Sequence, residues 1–301
     1  MVTSGKIPIN CVCHSPCIEL SYVGNGAGEP LILIHGLGAT ADSWRPQIEA
    51  LSVNWRVIAM DLRGHGQSGY RAEEPLTLRA LADDVMSMVK NLGIERAHFC
   101  GISMGGMIAL EIFVRYGLQV NSLILADTTA FFPAPQARQE LLRHFDNLDM
   151  AEWGRVMANR VLRRGASTEQ RQEIARMLAA NRRTVYRQGL VATFEGDYRW
   201  MLPQIDLPTL ILVGEEDQAT PMGYAQYLHK HIQGSVLQVI SRAAHFANLE
   251  NPGEFNWQVG AHLKRCLSAE PGVQGLGLKT TSRAWTQETI FWEARKSRAR
   301  R

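Results

Sequence analysis

The sequence predicts an α/β class: a mostly parallel central sheet flanked by helices, with a helical cap inserted before one of the last strands. Three observations lead there. From residue 30 onward, short continuous apolar runs alternate with one-faced helical patterns, the signature of strands covered on both sides by helices. One stretch, Ala97-His98-Phe99-Cys100-Gly101-Ile102-Ser103-Met104-Gly105-Gly106, reads as a buried strand, a sharp turn and a helix start. From about residue 130 to 203 the alternation stops, and several Arg-, Gln- and Ala-rich helical patterns follow without a convincing strand.

The elements can be taken in order. Ile18 to Val23 alternates like an exposed early strand, and the turn cluster Gly24 to Pro30 follows. Leu31-Ile32-Leu33-Ile34 is a continuous apolar run ending in His35-Gly36-Leu37-Gly38, a loop whose glycines let backbone approach a ligand or simply let a strand exit tightly. Asp42-Ser43 is expected to cap a helix from Trp44 to Leu51, and Arg56 to Met60 is the next strand. The loop Asp61 to Gly69 carries glycines and His65, but no lysine follows as a P-loop requires, so it reads as structural. Leu78 to Leu92 presents one apolar face and stops at Gly93. After the serine turn and its helix, Asn121 to Ala126 is a strand ending at Asp127. Beyond the cap, Pro208 to Gly214 and Val236 to Ile240 resume the sheet. Pro252 to Leu267 closes the fold as a helix. The expected division is a core over residues 1–129 and 204–267, the cap over 130–203, and a basic, unstructured tail over 268–301.

Composition narrows the function classes. At 301 residues the chain can bury a large core as one α/β domain. Its net charge is +3, yet the stretch after Leu267 holds seven Lys/Arg against three Glu, a local +4 that leaves the body at −1. The basic balance therefore belongs to the tail and gives no nucleic-acid surface. No apolar run reaches the eighteen or so residues of a membrane span, and no secretory leader precedes the first strand, so a cytoplasmic protein is expected. Five cysteines, at 11, 13, 17, 100 and 266, make no disulfide framework. Cys11, Cys13, His14 and Cys17 could hold a metal, but no second ligand pair with zinc spacing follows, and ordinary thiol usage is the simpler reading.

The chemistry centres on Ser103. In Gly101-Ile102-Ser103-Met104-Gly105, the glycines leave room for a tight strand-to-helix turn that exposes Oγ above the carboxyl edge of the sheet. The following helix N-terminus favours a developing oxyanion. A serine hydroxyl needs a base, and the base needs an acid to hold its tautomer. Asp217, 114 residues on, and His245, 28 further, each fall just after a predicted strand, which brings all three to one sheet edge. Asp127 is a rival acid because it too ends a strand. The backbone N–H groups of Leu37 and Met104 are the candidate oxyanion hole. Phe131, Phe132, Trp153, Phe194 and Trp200 are candidates for the pocket wall or for the core. No cofactor or metal is required by this chemistry.

From about Gly28 to Leu263 these motifs resemble the α/β-hydrolase fold superfamily: His35 to Gly38 its oxyanion loop, Gly101 to Gly105 its nucleophile elbow, and Gly214 to Pro221 and His245 its acid and base segments. Within it, Asp61 to Ser68, His98 to Met107 and Ala244 to Pro252 are similar to 3-oxoadipate enol-lactonases and related serine esterases, with a departure at His35. The resemblance implies cleavage of a small carboxylic ester or lactone by Ser103, His245 and Asp217, on a small-molecule substrate and away from nucleic acid or membrane. Two other readings remain. One is carbon–carbon hydrolysis of ring-cleavage products, which Ile102 disfavours because such enzymes usually carry Asn there. The other is a ligand-binding relative without turnover.

Overall fold

The computed structural model describes residues 3–8 and 18–268. Cys11, Cys13, His14, Cys17 and the expected tail beyond Ser268 lie outside the described residues. Eight strands of the described residues form one sheet: β1 (Thr3–Pro8), β2 (Glu19–Asn25), β3 (Pro30–Ile34), β4 (Arg56–Met60), β5 (Ala97–Ile102), β6 (Val120–Ala126), β7 (Thr209–Gly214) and β8 (Val236–Ile240). Their spatial order is β1-β2-β4-β3-β5-β6-β7-β8. Strands β1 and β2 pair antiparallel, as do β2 and β4, and every other pair is parallel.

Among the described residues ten α-helices complete the fold. Three flank the first half of the sheet: α1 (Arg45–Leu51), α2 (Leu78–Asn91) and α3 (Met104–Tyr116). Then α4 (Pro135–Asn147), α5 (Met150–Val161), α6 (Thr168–Ala179) and α7 (Arg183–Glu195) fill the interval between β6 and β7. Last come α8 (Met222–His231), the single turn α9 (Ala247–Glu250) and α10 (Pro252–Ser268). The described residues form one compact unit.

The continuous apolar strands are explained by the two-residue period of a pleat. In β3, Leu31 and Leu33 face a layer built on Trp44, Phe255, Val259 and Leu263, whereas Ile32 and Ile34 face the opposite layer with Val85, Val89, Ile108 and Ile112. Strands β4 and β7 divide in the same way, Val57 and Ala59 from Ile58 and Met60, and Leu210 and Leu212 from Ile211 and Val213. A third cluster, with Phe145, Trp153, Leu178 and Tyr186, belongs to the helices between β6 and β7 and meets the body at Ala39 and Phe246.

One local expectation is corrected. Asp42 and Ser43 do not cap α1; they lie inside a 3₁₀ turn, Ala41–Trp44, and the Ser43 hydroxyl donates back to the Thr40 carbonyl. Such local hydroxyl bonds favour turns over helix entry. Strand β1 has no counterpart in the sequence reading. It is an edge strand whose residues alternate between exposed and half-buried, so it carries almost no apolar signal, and only its ladder with β2 defines it.

The loop 61–69 is held by hydrogen bonds to the segment that follows β3. Asp61 accepts the N–H groups of Ala41 and Gln67, and the Leu62 N–H donates to His35 Nε2 at 3.0 Å. His35 Nδ1 therefore carries the proton and donates to the Gly36 carbonyl at 2.7 Å. His65 lies 5.1 Å away, ring centre to ring centre. Burial lowers the pKa of His35 to about 4, and burial followed by its histidine neighbour lowers that of His65 to about 3. Burial also lowers His262 to about 4. These rings are neutral in the folded chain but take up protons near pH 6.5 once it unfolds. Their contribution to stability is whole above pH 6.5 and drains away as the pH falls toward 4, by about 3 kcal/mol for His35 alone. In the folded protein the imidazole C–H signals of His35, His65 and His262 should therefore keep their neutral positions from about pH 8 down to about pH 5, followed by NMR, and titration of those signals near pH 6.5 would contradict neutral buried imidazoles.

Candidate active site

Strand β5 ends at Ile102 and helix α3 begins at Met104, leaving Ser103 alone in the turn with φ 56° and ψ −121°. A side chain at positive φ is strained by about 1–3 kcal/mol, and the surroundings hold it there. Its N–H donates to the Ala126 carbonyl at 3.0 Å, and its own carbonyl accepts from the Gly106 N–H at 3.0 Å and the Thr128 hydroxyl at 2.6 Å. The flanking glycines are required by space: a Cβ on Gly101 would lie 2.1 Å from the Gly105 carbonyl oxygen, and one on Gly105 would lie 2.1 Å from that of Ile34.

The turn presents Oγ to His245, whose Nε2 lies 2.9 Å away. On the other side of the ring, Nδ1 lies 2.9 Å from Asp217 Oδ2. Asp217 fixes the tautomer: Nδ1–H donates to the carboxylate, which leaves Nε2 free to accept from the serine. Asp217 is itself held. Its Oδ1 accepts the N–H groups of Ala219 and Thr220, and its Oδ2 accepts the Thr220 hydroxyl at 2.7 Å. Burial pushes the carboxyl pKa up, but His245 and the Thr220 donors outweigh it and hold the group below the ordinary aspartate value. Asp217 is thus stabilised as the anion beside the imidazole.

Asp127, the rival, sits at the end of β6 and is fully buried, and its partners are backbone: the N–H of Gly214 at 2.7 Å and that of Ala247 at 3.4 Å. Burial, reinforced by the charge of Asp217, raises its pKa well above the ordinary value. It pins the segments that carry Asp217 and His245 and does not replace Asp217 against the ring.

Gly36 passes close to the serine, since a Cβ there would come 3.1 Å from Ser103 Cβ. The neighbouring Leu37 and Met104 both line the cavity, and Met104 opens α3, so its N–H has no partner within the helix. The cavity holds about 600 Å³ and lies between the sheet edge and helices α4 to α7. Of the five aromatic candidates only Phe132 and Phe194 line it. Trp153 is fully buried among Phe145 and Tyr186, Phe131 packs on Tyr227, and Trp200 is half exposed. The wall instead draws on Tyr186, Tyr224 and Phe246. Sequence reasoning also missed Thr220. The signal was present, because an Asp whose side chain accepts the N–H groups two and three residues on is a standard turn former. Tyr186 and Tyr224 gave none, since a helical pattern does not say which face meets a cavity. Among the described residues no cluster of three or more His, Cys, Asp or Glu could hold a metal.

The elbow, the buried parallel strands and the helices over their carboxyl ends define the α/β hydrolase fold. The chain belongs to that family: the family's profile matches residues 29–252. It is 32% identical over 256 residues to the 3-oxoadipate enol-lactonase 2 of Acinetobacter baylyi, covering 82% of this chain and 94% of that one. Two solved structures, each 26% identical, superpose on it. A thermophilic esterase from Thermogutta terrifontis gives a TM-score of 0.81 over 87% of this chain and 99% of its own, and the enol-lactonase from Burkholderia xenovorans LB400 gives 0.77 over 82% and 97%. No helix among the described residues is long and apolar enough to cross a membrane.

Gly105→Ala should cost about 3 kcal/mol, because the new methyl meets backbone that cannot turn aside, and should lower the melting temperature by roughly 6–12 °C. A thermal melt of the variant within about 2 °C of wild type would show that the turn relaxes freely.

Proposed function

We propose that the protein is a serine hydrolase that cleaves a carboxylic ester or lactone of a small organic acid through an acyl-enzyme. The observation that carries this reading is the unbroken line from Ser103 Oγ through His245 to Asp217, with 2.9 Å on each side of the ring. The similarity to an enol-lactonase and to an esterase supports the bond type, and enol-lactone hydrolysis in aromatic catabolism is the specific form it suggests.

In the first step Oγ attacks the carbonyl carbon as its proton passes to His245 Nε2. Asp217 stabilises the imidazolium so formed. The carbonyl oxygen, now carrying the negative charge, accepts the N–H groups of Leu37 and Met104, which need no reorientation as charge develops. Collapse breaks the bond to the alkoxide, which takes the proton from Nε2. In a lactone that alkoxide stays tethered to the acyl group. Water then repeats the sequence on the acyl-enzyme, with His245 again as base, and releases the acid.

The wall of Phe132, Phe194, Tyr186 and Phe246 suits an apolar or unsaturated acyl portion. The chemistry needs no metal or organic cofactor, and the substrate is a small molecule. Carbon–carbon hydrolysis remains the second enzyme reading; Ile102, on the turn beside Ser103, supplies no polar side chain for it.

Ser103→Ala should abolish turnover of p-nitrophenyl acetate and butyrate and of γ-lactones, and should remove labelling by a fluorophosphonate. Asp217→Asn should lower kcat by about 10⁴-fold through loss of the correct tautomer. Asp127→Asn, which keeps the shape of the side chain, should stay within about tenfold of wild type. Steady-state kinetics on the three variants check the assignment. A wild type that binds esters without hydrolysing them would favour the ligand-binding reading, and inactivation by Asp127→Asn with Asp217→Asn unaffected would transfer the acid role to Asp127.

A further inference from the structure

Two consecutive backbone N–H groups in the link between α5 and α6 each end on a carboxylate beside the serine line. The Arg163 N–H donates to Glu250 Oε1 at 2.9 Å, and the Arg164 N–H donates to Glu216 Oε2 at 2.9 Å. Glu216 is the chain neighbour of Asp217. Glu250, at the end of α9, accepts the Ala244 N–H on its other oxygen, Oε2, at 2.8 Å, and Ala244 is the chain neighbour of His245. The link is anchored in turn, since Arg171 on α6 donates to the Arg163 and Arg164 carbonyls at 2.9 and 3.0 Å.

Glu250 has no part in the proton transfers, yet its side chain is only 1% exposed. A carboxylate taken out of water must be met by donors. The donors are these two N–H groups, with the Arg163 guanidinium 3.9 Å away as a looser neighbour. Burial raises the carboxyl pKa, and the Ala244 and Arg163 N–H groups oppose that rise. The next amide along, that of His245, donates to the Val161 carbonyl at the end of α5. The peptide groups on either side of Ala244 are thus both pinned, one to the link and one to α5. Little freedom to turn is left to the backbone that carries the imidazole.

We propose that Glu250 is a positioning residue for His245: its carboxylate locks the base segment to the link between α5 and α6, and the imidazole lines up with Ser103 while that lock is closed. Glu250 touches no reacting atom. The inference rests on the hydrolase reading and is tested so that the two fail separately.

Glu250→Gln keeps the shape of the side chain but turns an NH₂ group toward one of the two N–H donors, which opens the bridge. With p-nitrophenyl butyrate, well below the melting temperature, kcat should fall by about 10- to 100-fold while KM stays within about threefold, because the base is misplaced and the cavity is not. Labelling of Ser103 by a fluorophosphonate should slow by about the same factor. A Glu250 that serves stability alone would lower the melting temperature and leave kcat within about threefold, and a kcat within that range overturns the proposal. Hydrogen exchange reads the lock without turnover. In wild type the Arg163, Ala244 and His245 amides should exchange about tenfold or more slowly than unprotected backbone, and Glu250→Gln should speed all three by about tenfold or more. Protection that the variant removes supports the lock even if no ester is cleaved, which would count against the hydrolase reading alone. Unprotected Arg163 and Ala244 amides in wild type overturn the lock whether or not the variant folds.

Discussion

The structure depends on one steric constraint: a serine held at positive φ between a strand and a helix that nearly touch. Gly101, Gly105 and Gly36 give up their Cβ atoms at that spot, where the backbone at the start of α3, the end of β3 and the Ser103 residue itself respectively fill the space. Because β5 lies at the centre of the sheet between β3 and β6, the turn cannot relax without disturbing both neighbours. The strain is offset by a hydrogen bond from the Ser103 N–H to the Ala126 carbonyl and one from the Thr128 hydroxyl to the Ser103 carbonyl, which also tie the start of the next loop to the serine. What results is an exposed hydroxyl on a rigid support, with the position of every partner defined relative to it.

Around that point, the pKa values of two buried aspartates are displaced in opposite directions. Asp217 meets the imidazole, two backbone N–H groups and a threonine hydroxyl, and its pKa falls despite burial. Asp127 meets only two backbone N–H groups and the field of Asp217, and its pKa rises. A second full charge so close would be repelled, so the difference in donors separates the two carboxyl groups. Both serve the same geometry, one through the ring of His245 and the other through the backbone of the segments that carry the pair.

The helices between β6 and β7 do more than cover the cavity. The Val161 carbonyl at the end of α5 accepts the His245 N–H at 3.0 Å, and Asn181 donates to the Gly38 carbonyl at 2.8 Å. Gly189 on α7 leaves space for the Leu37 side chain. The insertion thus holds the base segment and the glycine loop directly, and a rearrangement of α5 to α7 would reach the reacting atoms without any change in the sheet.

The sheet and the serine line were legible because each rests on a local or periodic signal: runs such as Leu31 to Ile34, the two glycines around Ser103, and residues that follow strands at Asp217 and His245. Strand β1 was not, since an exposed edge needs no apolar pattern, and neither was the turn that displaced the Asp42-Ser43 cap. The sequence by itself determined the class of fold and which three side chains could share one sheet edge. The tertiary structure alone decided that Asp127 turns to the backbone N–H groups of Gly214 and Ala247, and that Trp153 is core while Tyr186 and Tyr224 are wall. Those outcomes turn on which helix face meets which neighbour across the chain, a matter of packing that no local spacing of residues encodes.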